Sequence, residues 1–214
     1  MASEKKLYII GAGALGRELE SWISCSPRSE NFRLAGFLHS GKSEIDQYPT
    51  DLKIVGDWND FVFSSTDEVL IGVADPAWKK RIYDTLKDRV AIHTYIHPDV
   101  LVGKYTSIGE GSVILPRCSI SCNVNVGRCV TINFASQLGH DCSVGDFASI
   151  MVNVIFSGWC GLGESSFVGS GTTVIPKIKV GSNVMIGAGS VVVCKIKDGF
   201  HAFGNPAVPI EKKF

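Results

Sequence analysis

The chain has 214 residues, of which 45% are hydrophobic, and its 21 basic side chains equal its 21 acidic ones. This length allows one large or two small packed domains, and the balanced charge argues against nucleic acid or an anionic membrane as a partner. No stretch approaches the roughly 20 apolar residues of a membrane helix, and the N-terminus has no cleavable signal pattern. We therefore expect a cytoplasmic protein, whose seven cysteines are reduced thiols.

Residues 1–95 alternate predicted strands with predicted helices, a pattern that is typical of a small parallel, Rossmann-like α/β sheet. The predicted strands are Lys6–Ile10, Phe32–Leu38 and Val69–Val73, and the predicted helices are Arg17–Ile23 and Pro76–Leu86. The sequence therefore predicts an N-terminal domain that differs in kind from the rest of the chain.

A glycine motif lies between the first strand and the first helix, where the chain reads GAGALG from Gly11 and matches G-x-G-x-x-G. Glycines allow the backbone to approach a pyrophosphate at the positive end of the helix. A dinucleotide site also needs an acidic residue after the second strand, where this chain has His39-Ser40. We therefore favour a nucleotide-sugar diphosphate over a purely structural turn, and both over NAD. The candidate substrate-binding residues in this domain are Gly11, Gly13, Ala14, Leu15, His39, Ser40 and Asp75.

From Val102 the chain divides into fifteen consecutive blocks of six residues, each of which begins with an apolar residue. The second residue is Gly in nine blocks, and the fifth is almost always small. This period is typical of a coil with three flat faces, in which each turn contains three blocks. We expect the first and fifth positions to point inward and the second-position glycines to form the corners with positive φ. Residues 96–214 are thus predicted to be a parallel β-helix domain with a C-terminal tail.

His140 is the one histidine within the repeats, and it occupies an outward position beside Asp141. Acyl transfer from a thioester needs a base, a partner that orients the base, and a donor to the oxyanion. Gly158 follows His140 by three blocks, which is one full turn, so it should lie directly above it, leave room for the thioester and expose an N–H. Cys142 should point into the core as an inert thiol. A single histidine cannot form a three-histidine metal site, so we expect no metal.

Four segments, GAGALGRELE, IHPDVLVG, INFASQLGHDCSVGDF and AFGNPAVPI, resemble one family in order along both domains. It is the bacterial sugar acyltransferases of the hexapeptide-repeat superfamily, which include sialic acid O-acetyltransferase-like proteins and sugar-nucleotide 4-amino N-acetyltransferases. The resemblance implies a left-handed coil, a homotrimer with sites between neighbouring subunits, and acetyl-CoA as the acyl donor.

The same resemblance implies roles for individual residues. His140 looks like the family's general base, Asp141 like its orienting carboxylate, and Asn133 like an asparagine that helps place the acceptor. Contacts to acetyl-CoA are implied for Ser149, Gly158, Ser170, Ala188, Gly204, Asn205 and Pro206. Ser149 stands where the family often has a second histidine, and His39-Ser40 stands where it commonly has paired aspartates.

Three functions remain open from the sequence. The first is N-acetylation of an amino sugar carried on a nucleotide diphosphate, with direct attack of the amine on the thioester. The second is O-acetylation of a free sugar such as a sialic acid by the same residues. The third is a β-helix protein without catalytic activity that binds a nucleotide or a partner.

Overall fold

The computed structural model describes residues 5–26, 32–43 and 45–211. Its N-terminal part is a parallel sheet with two helices, formed by β1 (Lys5–Ile10), α1 (Ala14–Cys25), β2 (Phe32–Leu38), β3 (Ile54–Gly56), β4 (Glu68–Ile71), α2 (Pro76–Leu86) and β5 (Ala91–Ile92). The strand order is β3-β2-β1-β4-β5. The sequence pattern predicted β1, β2, β4 and both helices, but it missed the two edge strands, which are too short to show periodicity. None of the helices in the described ranges is long and apolar enough to cross a membrane.

The remainder is a parallel β-helix with three faces. Face 1 contains β6 (Tyr95–Ile96), β9 (Val113–Ile114), β12 (Thr131–Ile132), β15 (Ser149–Ile150), β18 (Phe167–Val168), β21 (Met185–Ile186), β23 (His201–Phe203) and β24 (Val208–Ile210). Face 2 contains β7 (Leu101–Val102), β10 (Ser119–Ile120), β13 (Gln137–Leu138), β16 (Ile155–Phe156), β19 (Thr173–Val174) and β22 (Val191–Val192). Face 3 contains β8 (Ser107–Ile108), β11 (Asn125–Val126), β14 (Ser143–Val144), β17 (Gly161–Leu162) and β20 (Lys179–Val180). Gln137 pairs with Ile155 in the next coil, so the predicted period of three blocks per turn is confirmed.

The interior of the β-helix follows the block pattern. Ile150 at a first position and Val154 at a fifth position are both fully buried. Cys142, also at a fifth position, is 3% exposed, and its Sγ donates to Ser157 O. Burial raises the pKa of the Cys142 thiol to about 11. Cys142 is therefore an unreactive core residue, as predicted.

The corners of the β-helix correct one part of the prediction, because the second-position glycines do not have the positive φ. The fourth residue of every block has it instead, for example Asp141 and Trp159, each with φ 59°. The second-position glycines serve close packing: a Cβ on Gly139 would lie 2.7 Å from Gly158 N and 2.8 Å from Ser157 C. At the second positions that are glycine, the next coil lies too close for a Cβ to fit without a shift.

The N-terminal part packs against face 1. Leu15 and Leu19 of α1 share a hydrophobic cluster with Leu115 of the β-helix, and Tyr83 of α2 packs with Phe147. We call the turn from face 1 to face 2 corner 1–2, and the turn from face 2 to face 3 corner 2–3. Corner 2–3 is opposite face 1, so it is the corner farthest from the N-terminal part of the same chain.

Candidate active site

His140 and Asp141 lie on corner 2–3. The His140 Nδ1 atom is 2.7 Å from Asp141 Oδ2, and the other carboxylate oxygen accepts from Asn123 Nδ2 of the coil below at 3.3 Å. An ionised carboxylate only accepts hydrogen bonds, so Nδ1 carries the proton and Nε2 holds a lone pair. The His140 side chain is 43% exposed. The pair therefore presents a basic nitrogen at the surface of the β-helix.

Gly158 lies directly above His140, as predicted. A Cβ on Gly158 would lie 2.6 Å from His140 Nε2, so this glycine makes room for the imidazole itself. Among the described residues, nothing accepts a hydrogen bond from the Gly158 N–H. The Trp159 ring packs against the His140 ring at a centroid distance of 4.3 Å and an angle of 88°. The corner thus combines a positioned base with an open amide.

A second group of predicted residues lies on corner 1–2. Asn133 is 8% exposed, and its Oδ1 accepts from Phe134 N at 2.8 Å. Ser170 and Ala188 lie farther along this corner, in the column one residue after that of Asn133 and one full turn apart from each other. Gly204, Asn205 and Pro206 form the loop between β23 and β24, next to this column, where Gly204 O accepts from Val191 N at 3.0 Å. Within one chain, face 2 separates this group from His140.

Two predicted site residues have structural contacts instead. Ser149 is fully buried on face 1, and its hydroxyl donates to Ala74 O, so it offers no surface to acetyl-CoA. Asp75 is the N-cap of α2 and accepts from Trp78 N at 2.9 Å. The serine at position 149 thus joins the two parts of the chain, and the aspartate begins a helix.

A pocket of about 410 Å³ opens in the N-terminal part, lined by residues that include Gly11, Gly13, Ala14, Leu15, His39, Ser40, Trp58, Ala74 and Trp78. Six of the seven residues predicted there to bind substrate therefore line one cavity. Its size is in the range of ligand sites in proteins.

The local structure of the GAGALG loop suits an anion. Gly11 has φ 97°, and a Cβ on Gly16 would overlap Gly11 O, so both glycines are needed for the tight turn into α1. Gly13 is the N-cap and provides no side-chain cap, which leaves first-turn amides at the positive end of the helix for a ligand. His39 fixes the loop, because its Nδ1 lies 3.4 Å from Ala12 N and its Nε2 lies 3.1 Å from Lys42 O.

Three residues near this pocket were missed from the sequence. Trp58 and Trp78 line the cavity, and Lys79, the next residue after Trp78, is fully buried. Lys79 could have been found, because it shares a helical face with Ile82, Tyr83 and Leu86 at spacings of three, four and seven residues. Over the described ranges, no group of three or more His, Cys, Asp or Glu side chains could hold a metal ion.

Comparison with known proteins identifies the family. Residues 160–194 match the model of the bacterial transferase hexapeptide (six repeats). A GDP-perosamine N-acetyltransferase of Escherichia coli O157:H7 is 32% identical over 148 residues, which cover 66% of this chain and 67% of that protein. The chain belongs to the hexapeptide-repeat sugar acyltransferases. As a member of that family it is an enzyme.

Solved structures of acyltransferases have the same fold over almost the whole chain. The acetyltransferase domain of PglB from Neisseria gonorrhoeae FA1090, in complex with acetyl coenzyme A, is 27% identical with a TM-score of 0.86 and covers 96% of this chain and 98% of that one. PerB from Caulobacter crescentus, in complex with CoA and GDP-perosamine, is 23% identical with a TM-score of 0.84 over 96% and 97% of the two chains. The second likeness shows the fold alone.

Proposed function

We propose that this acyltransferase moves an acetyl group from acetyl-CoA to the amino group of a nucleotide-linked sugar, with His140 as the general base. The observation that carries the proposal is the His140 imidazole, whose Nδ1 is held by Asp141 at 2.7 Å, whose Nε2 lies beside Gly158, and whose side chain is 43% exposed. The Escherichia coli relative, an N-acetyltransferase of GDP-perosamine, and the acetyl-CoA complex of the Neisseria domain support the choice of donor and acceptor.

The chemistry needs no covalent enzyme intermediate. The neutral amine attacks the thioester carbonyl carbon, so a C–N bond forms while His140 Nε2 takes the amine proton. Asp141 keeps the proton of the imidazole on Nδ1 and stabilises the imidazolium that forms. The Gly158 N–H is the candidate donor to the oxyanion. The C–S bond then breaks, and the CoA thiolate takes the proton from His140.

The pocket of the N-terminal part would hold the nucleotide diphosphate. The first-turn amides of α1 offer donors to phosphate oxygens at the positive helix end, and the Gly11–Gly13 backbone allows close approach. Residues 1–95 would then be the nucleotide-sugar-binding domain, and residues 96–214 the acyltransferase domain with its C-terminal tail.

A complete site would need two copies of the chain. The pocket lies in the N-terminal part, which packs against face 1, and corner 1–2 borders that face, whereas His140 lies on corner 2–3, opposite face 1. Face 2 lies between the two corners and carries an apolar groove of about 480 Å³ with exposed Leu101 and Val102. We infer a homotrimer in which face 2 meets a neighbour, so that His140 of one subunit meets Asn133, Ser170 and the pocket of the next.

Thiol release from acetyl-CoA, measured with a panel of 3-amino and 4-amino sugars linked to UDP, GDP or dTDP, tests this function. Release that needs one amino sugar and falls by about 10²-fold or more in His140→Ala is expected. Cys122→Ser, one coil below on the same corner, is the control and should keep wild-type activity. Release with a free sugar hydroxyl and no nucleotide requirement would instead establish O-acetylation, and equal activity in His140→Ala would reject the histidine as base.

A further inference from the structure

Lys79 is a fully buried lysine at the junction of α2 and the β-helix. Its side chain is 1% exposed, and its Nζ lies 2.7 Å from Ala148 O and 3.2 Å from Thr131 Oγ1. Both partners are neutral. A buried lysine is rare unless it is paired with a charge, and a leucine or methionine would fill the same space. Packing alone therefore does not explain a lysine at this position.

The segment of the β-helix that Lys79 contacts also contacts the wall of the nucleotide pocket. Ala74 and Trp78, which flank the start of α2, line that pocket. The Ala74 carbonyl accepts from the Ser149 hydroxyl, and Ser149 is the neighbour of Ala148 in the chain. One stretch of the β-helix thus makes two attachments, at Ala74 and at Lys79, on either side of Trp78.

We propose that Lys79 is a positioning residue for the nucleotide pocket. Its hydrogen bonds to Ala148 and Thr131, together with the hydrogen bond from Ser149 to Ala74, hold the start of α2 against the β-helix. They thereby keep Trp78 in the orientation that accepts the nucleotide. This inference rests on the proposed function, because the ligand of the pocket is taken to be a nucleoside diphosphate. It assigns Ser149 to the support of the pocket wall at Ala74 rather than to acetyl-CoA.

The charge state of Lys79 gives the attachment a pH dependence. Burial is the main cause that lowers the pKa of Lys79 to about 7. Two titratable groups oppose this effect and raise the pKa of Lys79: Cys129, whose own pKa burial raises to about 12, and Asp75, which is exposed and accepts a hydrogen bond from Trp78 N. Above about pH 7 the neutral amine has two N–H groups for its two acceptors. Below that pH the amine carries a charge that its two neutral partners do not balance. Lys79 should then hold the start of α2 less firmly, so nucleotide binding should weaken.

Calorimetry with UDP, GDP and dTDP tests the proposal without any acetyl transfer. We expect Lys79→Met to weaken the tightest of the three by about tenfold, while the Kd for acetyl-CoA, measured by the same method, stays within about twofold of wild type. Ser149→Ala should weaken the same nucleotide by a smaller factor. Lys80→Met is the matched control, because Lys80 is the next residue of α2 and its Nζ pairs with Glu164 at 2.8 Å on the surface.

The pH profile separates a positioning role from a purely structural one. Wild-type affinity should fall as pH drops from 8 to 6, and Lys79→Met should lose that part of the profile, whereas Lys80→Met should keep it. If Lys79→Met does not fold, Lys79→Gln, which retains an N–H donor but does not titrate, gives the same comparison, whereas Ser149→Ala should keep the pH profile of wild type.

Four results are decisive. Unchanged nucleotide affinity in Lys79→Met, or an equal loss of nucleotide and acetyl-CoA binding, would overturn the role of Lys79. Nucleotide binding without acetyl transfer in wild type would overturn the proposed function alone and leave the Lys79 test valid. Wild type that binds none of the three nucleotides would overturn both.

Discussion

The two parts of the chain differ in how their residues are fixed in space. In the β-helix a residue's position follows from its place in a block of six, so Gly158 could be placed above His140 by counting three blocks along the chain. In the N-terminal part no period exists, and Lys79 contacts Ala148 across 69 positions of sequence. A repeat therefore makes the position of a candidate catalytic residue predictable from sequence spacing, whereas an α/β fold offers only local motifs such as GAGALG.

The largest expected effect tests the placement that came from counting. Gly158→Ala should lower kcat by about 10²-fold, because its Cβ would lie 2.6 Å from His140 Nε2 and would displace the base. Steady-state thiol release measures this loss, and circular dichroism should show an unchanged fold. In a His140→Ala background the same substitution should have almost no further effect. If the two losses of kcat multiplied in the double variant, Gly158 would not act through His140.

The glycines of the β-helix offer a matched pair for stability. Gly145→Ala should lower the free energy of unfolding by about 3 kcal/mol, because overpacking against a fixed neighbour is destabilising and its Cβ would lie 2.5 Å from Glu164 N. Gly171 has φ 71°, and a Cβ on it would lie 3.9 Å from its nearest neighbour, Gly189. Gly171→Ala should therefore cost only about 1 kcal/mol of conformational strain. Urea unfolding at one protein concentration compares the two. If Gly171→Ala lowered the free energy of unfolding more than Gly145→Ala, then positive φ, and not contact between coils, would be the main reason for glycine in the β-helix.

The same contrast explains what the sequence could and could not predict. The period predicted the β-helix, the inward position of Cys142 and the column of His140 and Gly158. It misassigned the reason for the second-position glycines, because contact between adjacent coils does not appear in a linear pattern. Ser149 was assigned to the cofactor by resemblance, and its burial under Ala74 depends on how the N-terminal part docks on face 1. No local pattern carries that information.

A smaller effect is expected from the partner of the base. Asp141→Asn should lower kcat by about tenfold, because the amide can no longer hold the proton of His140 on Nδ1 as firmly. Asparagine tolerates the positive φ at this position, so folding should be unaffected. Asn123→Ala removes the second contact of the carboxylate and should cost less than Asp141→Asn. Equal kcat in wild type and Asp141→Asn would show that the carboxylate does not orient the histidine.

The smallest signal comes from mixing subunits, and it joins the two regions in one experiment. Gly13 has open space around it, so Gly13→Asp should fold and place a negative charge in the pocket that repels a diphosphate. Neither Gly13→Asp nor His140→Ala should be active alone. When they are mixed one to one and reassembled, about a quarter of the subunit contacts combine an intact pocket with an intact histidine. Activity should therefore recover to about a quarter of the wild-type value, and Gly13→Ala, which adds no charge, should lose much less activity than Gly13→Asp. If pocket and histidine acted within one chain, each site would carry one defect in every mixture, and no activity would return.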